Sequence, residues 1–198
     1  VKFVLPKIPA EEARRIISRR GLFFLRHKRE VKKMELVHLP YYVHTVVVSQ
    51  ENGEREVLTC TDGISSGFSF FDASQLTFCD EASGMAFGFL VSAEESERAC
   101  LESFRWHLVH RGLRFRVRAS LKEIRSTERI YYPYWVGYFR TRRGYDFRAA
   151  DAVTGEIQGP RMRKVFLTAF SQGAAPPLGL QREAHAAAAE CSSPRAGR

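Results

Sequence analysis

The chain has 198 residues, with 31 Lys and Arg against 22 Asp and Glu, a net charge of +9 and a pI of about 9.7. That length buries a real core, and 44% hydrophobic residues with 15 Phe, 7 Tyr and 2 Trp exclude wholesale disorder. The longest apolar runs, such as 85–91, fall far short of the ~20 residues of a membrane-spanning helix, so no transmembrane segment is predicted.

Too little apolar length precedes Glu11, Glu12, Arg14 and Arg15 for a secretory signal, and a cytoplasmic location is expected. Cys60, Cys79, Cys100 and Cys191 form no Cys-x-x-Cys pair. They read as reduced, small hydrophobes, and neither a metal nor a cofactor is expected. Charge comes in blocks: residues 1–35 carry +7, 36–100 carry −8, 101–166 carry +9 and the remainder +1, so acidic and basic blocks can neutralise one another in the fold.

In chain order, Pro9 suits a first helical turn, Ala13, Ile16 and Ile17 make its inner face, and Gly21 ends it. Met34 to Ser49, rich in Val, Tyr and Thr, predicts a long strand. Asn52-Gly53 predicts a hairpin, with Glu56 to Thr61 as the returning partner. Short strands are predicted at Phe68–Phe71, Leu76–Cys79 and Gly84–Leu90. Ser92 and Glu95 form a capping box, and Cys100, Leu101, Phe104 and Leu108 give the following helix one apolar stripe that Gly112 ends.

Arg114, Arg116 and Arg118 alternate with Phe115 and Val117 and predict an amphipathic strand. Arg129 to Arg140 and Tyr145 to Asp151 predict a second long hairpin around Arg143-Gly144. Pro40 and Pro133 donate nothing to a ladder, which predicts an edge, bulge or bend at each. Met162 to Phe170 reads as a last strand. From Ser171 onward, 17 of 28 residues are Ala, Pro, Gly or Ser, which predicts a disordered tail.

Several of these signals occur twice in the same order. Ala10, Glu11, Glu12 and Arg15 recur as Ala93, Glu94, Glu95 and Arg98; Arg20-Gly21-Leu22 as Arg111-Gly112-Leu113; Pro40-Tyr41 as Pro133-Tyr134; Gly53 as Gly144; and the Asp62 turn as the Asp151 turn. The predicted fold is therefore α+β. It comprises two related units, 1–90 and 91–170, each a helix packed on an antiparallel β-meander, with a disordered tail at 171–198.

A helix followed by a meander ending in Asp151, Thr154 and Gly155, with a looser Asp62, Ser65 and Gly67 in the first unit, resembles the PepSY-type modules of cystatin-like fold. The Tyr131–Trp135 run with the later Asp151–Gly155 is also similar to bacterial β-rich domains that accompany zinc ribbons. The resemblance implies a binding, inhibitory or scaffolding domain and brings no catalytic residues. The Asp-x-x-Thr-Gly element itself has a sufficient structural cause: Asp and Thr accept from nearby backbone, and Gly supplies positive φ.

The resulting expectation is a non-catalytic module recognising a protein or small ligand through Tyr41, Tyr42, Tyr134, Trp135, Asp62 and Asp151. Strand alternation limits that surface, because Tyr132, Tyr134 and Tyr138 face away from Tyr131, Trp135 and Phe139. The alternative is nucleic-acid binding through Arg114, Arg116, Arg118, Arg140, Arg142 and Arg143, with aromatic groups as stacking platforms. An enzyme around His38, His44 and Asp62 is the third reading. His107 and His110, spaced i and i+3, sit among Arg105 and Arg111 and read as a solvated helix face. No nucleophile-elbow, zinc-protease, Walker or dinucleotide motif occurs, and the oligomeric state is left open.

Overall fold

The computed structural model describes residues 1–19, 30–50, 53–74, 76–115, 119–142 and 144–172. Its elements run β1 (Lys2–Val4), α1 (Ala10–Ser18), β2 (Val31–Gln50), β3 (Gly53–Asp62), β4 (Phe68–Phe70), β5 (Phe78–Cys79), β6 (Met85–Ala86), α2 (Ala93–Phe115), β7 (Ala119–Thr141), β8 (Gly144–Asp151) and α3 (Pro160–Ser171). The fold is α+β, with one mixed sheet of eight strands. Among the described residues no helix is long and apolar enough to cross a membrane.

Strands β2 and β7 lie side by side, antiparallel, from Val31↔Phe139 to Gln50↔Ala119. Each carries its own hairpin partner along its C-terminal half: β3 on β2, β8 on β7. Gly53 (φ 114°) and Gly144 (φ 125°) take the left-handed backbone that these tight reversals need. Each long strand also gains a short parallel neighbour, β6 on β2 at Val37 and His38, and β1 on β7 at Ile130 and Tyr131.

Pro40 and Pro133 fall in the gaps between these outer neighbours. Pro40 lies between the His38 pairing of β6 and the Tyr41 pairing of β3; Pro133 lies between the Tyr131 pairing of β1 and the Tyr134 pairing of β8. Their carbonyls accept from Gly63 N–H (2.8 Å) and Ala152 N–H (3.1 Å), so the side of each proline that lacks a donor faces a loop instead of a strand.

Helices α1 and α2 cover one face of the sheet and α3 the other. Ile17 of α1 packs with Val31, Phe139 and Ala150, and Cys100 and Phe104 of α2 pack with Val46 and Val48. Val165, Phe166 and Ala169 of α3 join the largest cluster, with Val37, Leu39, Tyr134, Val136 and Phe147. Gly137 lets α1 approach: a Cβ there would sit 2.9 Å from Ile17 Cγ2 and 3.1 Å from Met34 Sδ.

Residues 162–170 correct the predicted last strand. They form a helix because their apolar positions, Met162, Val165, Phe166, Ala169 and Phe170, follow a spacing of three and four, behind a Gly159-Pro160 start. Helix α2 continues through Gly112 to Phe115, so Arg114 lies on a helix and not a strand, while Arg116 and Arg118 lie outside the described residues. The three short strands are shorter than expected, at Phe68–Phe70, Phe78–Cys79 and Met85–Ala86. The predicted tail lies outside the described residues from 173, although Ser171 still belongs to α3. Cys60, Cys79 and Cys100 are unbridged.

Charge blocks meet across the sheet. Lys122 and Arg125 of β7 pair with Glu54 and Glu56 of β3, and Lys2 reaches Glu128 at 3.8 Å. All are exposed pairs, worth about 0–1 kcal/mol each. The helical assignment of 162–170 predicts that Phe166→Ala costs about 3–5 kcal/mol in urea unfolding. Its neighbour Leu167, half exposed, is expected to lose under about 0.5 kcal/mol on Leu167→Ala.

Candidate functional site

Because β2 and β7 are antiparallel neighbours, their two hairpins end near one another on the face that carries α3. Tyr41 pairs with Asp62 across β2–β3, and Tyr134 pairs with Asp151 across β7–β8. The two tyrosines meet, hydroxyl to hydroxyl, at 2.8 Å. Around them lies a cavity of about 400 Å³ whose floor is Tyr41, Cys60, Asp62, Tyr132, Tyr134 and Asp151. Phe68, Phe70 and Phe71 form one wall, and Gln158, Arg161 and Met162, at the start of α3, form the other.

Each aspartate closes its own hairpin. The Asp62 carboxylate accepts from the N–H groups of Ile64 (3.2 Å), Ser65 (2.6 Å) and Gly67 (2.7 Å) and from Ser65 Oγ (3.0 Å). Asp151 Oδ1 accepts from Val153 N–H (2.7 Å) and Thr154 N–H (3.0 Å), and Tyr132 donates to this carboxylate at 3.1–3.2 Å. Ser66 (φ 59°) and Gly155 (φ 78°) occupy the left-handed position of the two turns. Gly67 permits a close approach, because a Cβ there would collide with the Asp62 carboxylate and lie 2.7 Å from Arg161 Nη2.

Tyr41, Tyr132, Tyr134, Asp62 and Asp151 are held in place by hydrogen bonds to one another and to the two turns. Burial raises the pKa of the Tyr41, Tyr132 and Tyr134 hydroxyls, and it pushes the Cys60 thiol up to about 12. All four stay protonated near neutral pH, so none is an ionised nucleophile or base. What the cavity offers is aromatic surface, hydrogen-bond donors and acceptors, and the carboxylates of Asp62, Asp72 and Asp151 against the single guanidinium of Arg161.

Of the six residues expected at the surface, the structure gathers Tyr41, Tyr134, Asp62 and Asp151 and sends Tyr42 and Trp135 to the opposite face. There each of the latter holds the segment that leads into a helix: Tyr42 donates to Val91 O (2.8 Å) before α2, and Trp135 Nε1 donates to Ile8 O (2.7 Å) before α1. Sequence reasoning missed Cys60, Tyr132, Arg161 and Met162 as lining residues. Tyr132 was legible from its alternation with Tyr134; Arg161 and Met162 needed the helical reading of 160–171.

The histidine cluster is not assembled. His44 lies on the α1/α2 face with Nε2 near Ser96 Oγ (3.0 Å) and Thr61 Oγ1 (3.2 Å), and Nδ1 near Thr127 Oγ1 (3.1 Å), whose hydroxyl donates to Glu97 (2.7 Å). Asp62 projects from the other face. Ser96 and His44 are fully buried, so these two groups join α2 to the sheet away from solvent. His38 is also buried, edge-on to Phe3, and among the described residues its Nε2 has no hydrogen-bond partner. His107 packs against Phe70 and His110 against Trp106. Among the described residues no three His, Cys, Asp or Glu are placed to hold a metal ion.

The arginines divide. Arg114 lies near the end of α2, ahead of β7, whereas Arg140 and Arg142 are exposed at the far end of β7; Arg143 falls outside the described residues. Comparison with family models, with curated proteins and with solved structures finds no match to this chain.

Burial holds both imidazoles neutral, their pKa pushed down from 6.5 to about 4. Unfolded chains take up those protons at higher pH, so this stability is complete above about pH 6.5 and is lost as pH falls toward 4. His44→Leu leaves the hydroxyls of Thr61, Ser96 and Thr127 without the imidazole. It is expected to cost about 2–4 kcal/mol near neutral pH and to flatten the acid limb in urea unfolding. A variant as stable as the native chain, with the same acid limb, would contradict the docking role.

Proposed function

We propose that this chain is a non-catalytic binding module for a small ligand, seated in the cavity between Tyr41, Tyr134 and the phenylalanines of 68–71. The observation that carries this reading is the convergence of two Asp turns and a buried tyrosine pair on one aromatic-walled cavity whose polar side chains are already held by hydrogen bonds. A site built this way keeps its shape without the ligand, which reduces the ordering cost of binding. An excess of carboxylates over guanidinium in the lining favours a ligand with an apolar or aromatic body and a basic group.

We further infer that the module consists of two related helix-plus-meander units of the PepSY-like, cystatin-like kind, sharing one sheet, with the helix of each half packed on the hairpin of the other. Matched hydrogen bonds support this. Leu90 and Val91 N–H donate to Gly63 O as Lys7 and Ile8 N–H donate to Ala152 O, each just ahead of a helix. The Tyr42 and Trp135 donations and the parallel pairings of β6 and β1 correspond in the same way. On this reading the cavity sits where the two units meet.

Ser69 is exposed and lines the cavity, so Ser69→Trp is expected to fill it while changing stability by under about 0.5 kcal/mol. In a thermal-shift screen of aromatic and aliphatic amines with their neutral isosteres, compounds that stabilise the native chain are expected to fail with Ser69→Trp. A screen without hits, or hits that stabilise both chains equally, would overturn the reading.

A further inference from the structure

A second cavity, about 730 Å³, opens along the outer edge of β8 between the end of α1 and the start of α3. Its lining carries three guanidinium groups, Arg19, Arg148 and Arg163, against one carboxylate, Asp146, beside the apolar surface of Phe147 and Ile157.

Two of these charged groups have a structural role. Asp146 Oδ1 accepts from Phe147 N–H (2.8 Å), Arg163 Nη1 donates to Phe147 O (2.8 Å), and Arg163 Nη2 pairs with Asp146 at 2.8 Å. Together they block the open edge of β8 and neutralise one another. Arg148 is fixed differently, its Nη1 donating to Arg19 O (3.0 Å) and Ile17 O (3.4 Å) at the end of α1. Those bonds hold the guanidinium in place and use Nη1 alone, which leaves the Nε and Nη2 donors. Among the described residues no carboxylate pairs with Arg19 or Arg148, so the cavity retains two uncompensated positive charges. The first turn of α3, which forms part of the wall, adds no acidic residue.

We propose that this cavity binds a phosphorylated small molecule with an apolar or aromatic body. The phosphate would sit between Arg19 and Arg148 and the body would lie against Ile157, which is 44% exposed. Two guanidinium forks suit a tetrahedral dianion with three accepting oxygens, whereas a single fork already fills a carboxylate. This site is independent of the aromatic cavity and stands whether or not that cavity binds an amine.

Titration of the full chain with ADP, inorganic pyrophosphate and adenosine, followed by amide resonances in ¹⁵N-labelled protein, tests the assignment. ADP and pyrophosphate are expected to shift the amides of Arg148, Ile157 and Gly159, and adenosine is expected to leave them in place. Arg19→Gln and Arg148→Gln should each weaken ADP at least about tenfold, with Arg125→Gln, at the opposite end of β7 from the β8 pairing, unchanged. Should Arg148→Gln unfold through loss of its bonds to α1, Arg19→Gln still decides, since that side chain makes no hydrogen bond within the described fold. No amide shift at millimolar ADP, shifts confined to other regions, or undiminished binding to Arg19→Gln would overturn the proposal.

Discussion

Everything in this molecule depends on the register of β2 against β7. These two strands are unusually long, and both edges of their ladder are occupied in the same order: a short parallel strand, a proline gap, then an antiparallel hairpin partner. Side chains alternate between faces along a strand, so a slip by one residue would turn every side chain of the slipped strand to the opposite face of the sheet. In the observed register Tyr41 and Tyr134 meet on one face, while Tyr42 and Trp135 turn to the other and fasten the approaches to the two helices. The aromatic cavity and the helix docking are therefore two consequences of one pairing.

Much of this was legible from residue order. The Val, Tyr and Thr content of 34–49, the glycines at 53 and 144, and the capping box at Ser92 and Glu95 act locally, and the structure has the long strand, the hairpin pairings that end at Gly53 and Gly144, and the cap. Ser92 N–H and Glu95 N–H each find the other's side chain at 3.2 Å. Alternation also separated Tyr134 from Trp135 correctly. The misread residues lie where two periods compete. Met162 to Phe170 mixes strand-favouring Val165, Phe166, Thr168 and Phe170 with helix formers, and the i, i+3, i+4 spacing decides for a helix. In α2, Gly112 has the residue type of a stop, yet the helix carries through it to Phe115, so its neighbours overrode the local preference.

The candidate site was half legible for the same reason. Asp62 and Asp151 announce themselves through turn chemistry that each hairpin contains within itself. Their assembly around one cavity depends on contacts between residues about 90 positions apart and on an α3 wall that local propensity did not reveal. His44 shows the converse. Its sequence context invites a catalytic reading together with Asp62, but the two lie on opposite faces of the sheet, and the imidazole is spent on hydroxyls that dock α2. Buried polar groups need partners, and here that requirement accounts for the contacts among His44, Ser96 and Thr61.

A double-mutant cycle on the tyrosine pair tests the register most directly. If Tyr41 and Tyr134 share the hydrogen bond that the ladder creates, Tyr41→Phe and Tyr134→Phe each destabilise the chain in urea unfolding. The double variant then loses less than the sum, with a coupling of about 1 kcal/mol. Losses that add to within about 0.3 kcal/mol would mean that the two hydroxyls do not meet, and would contradict both the register and the cavity built upon it.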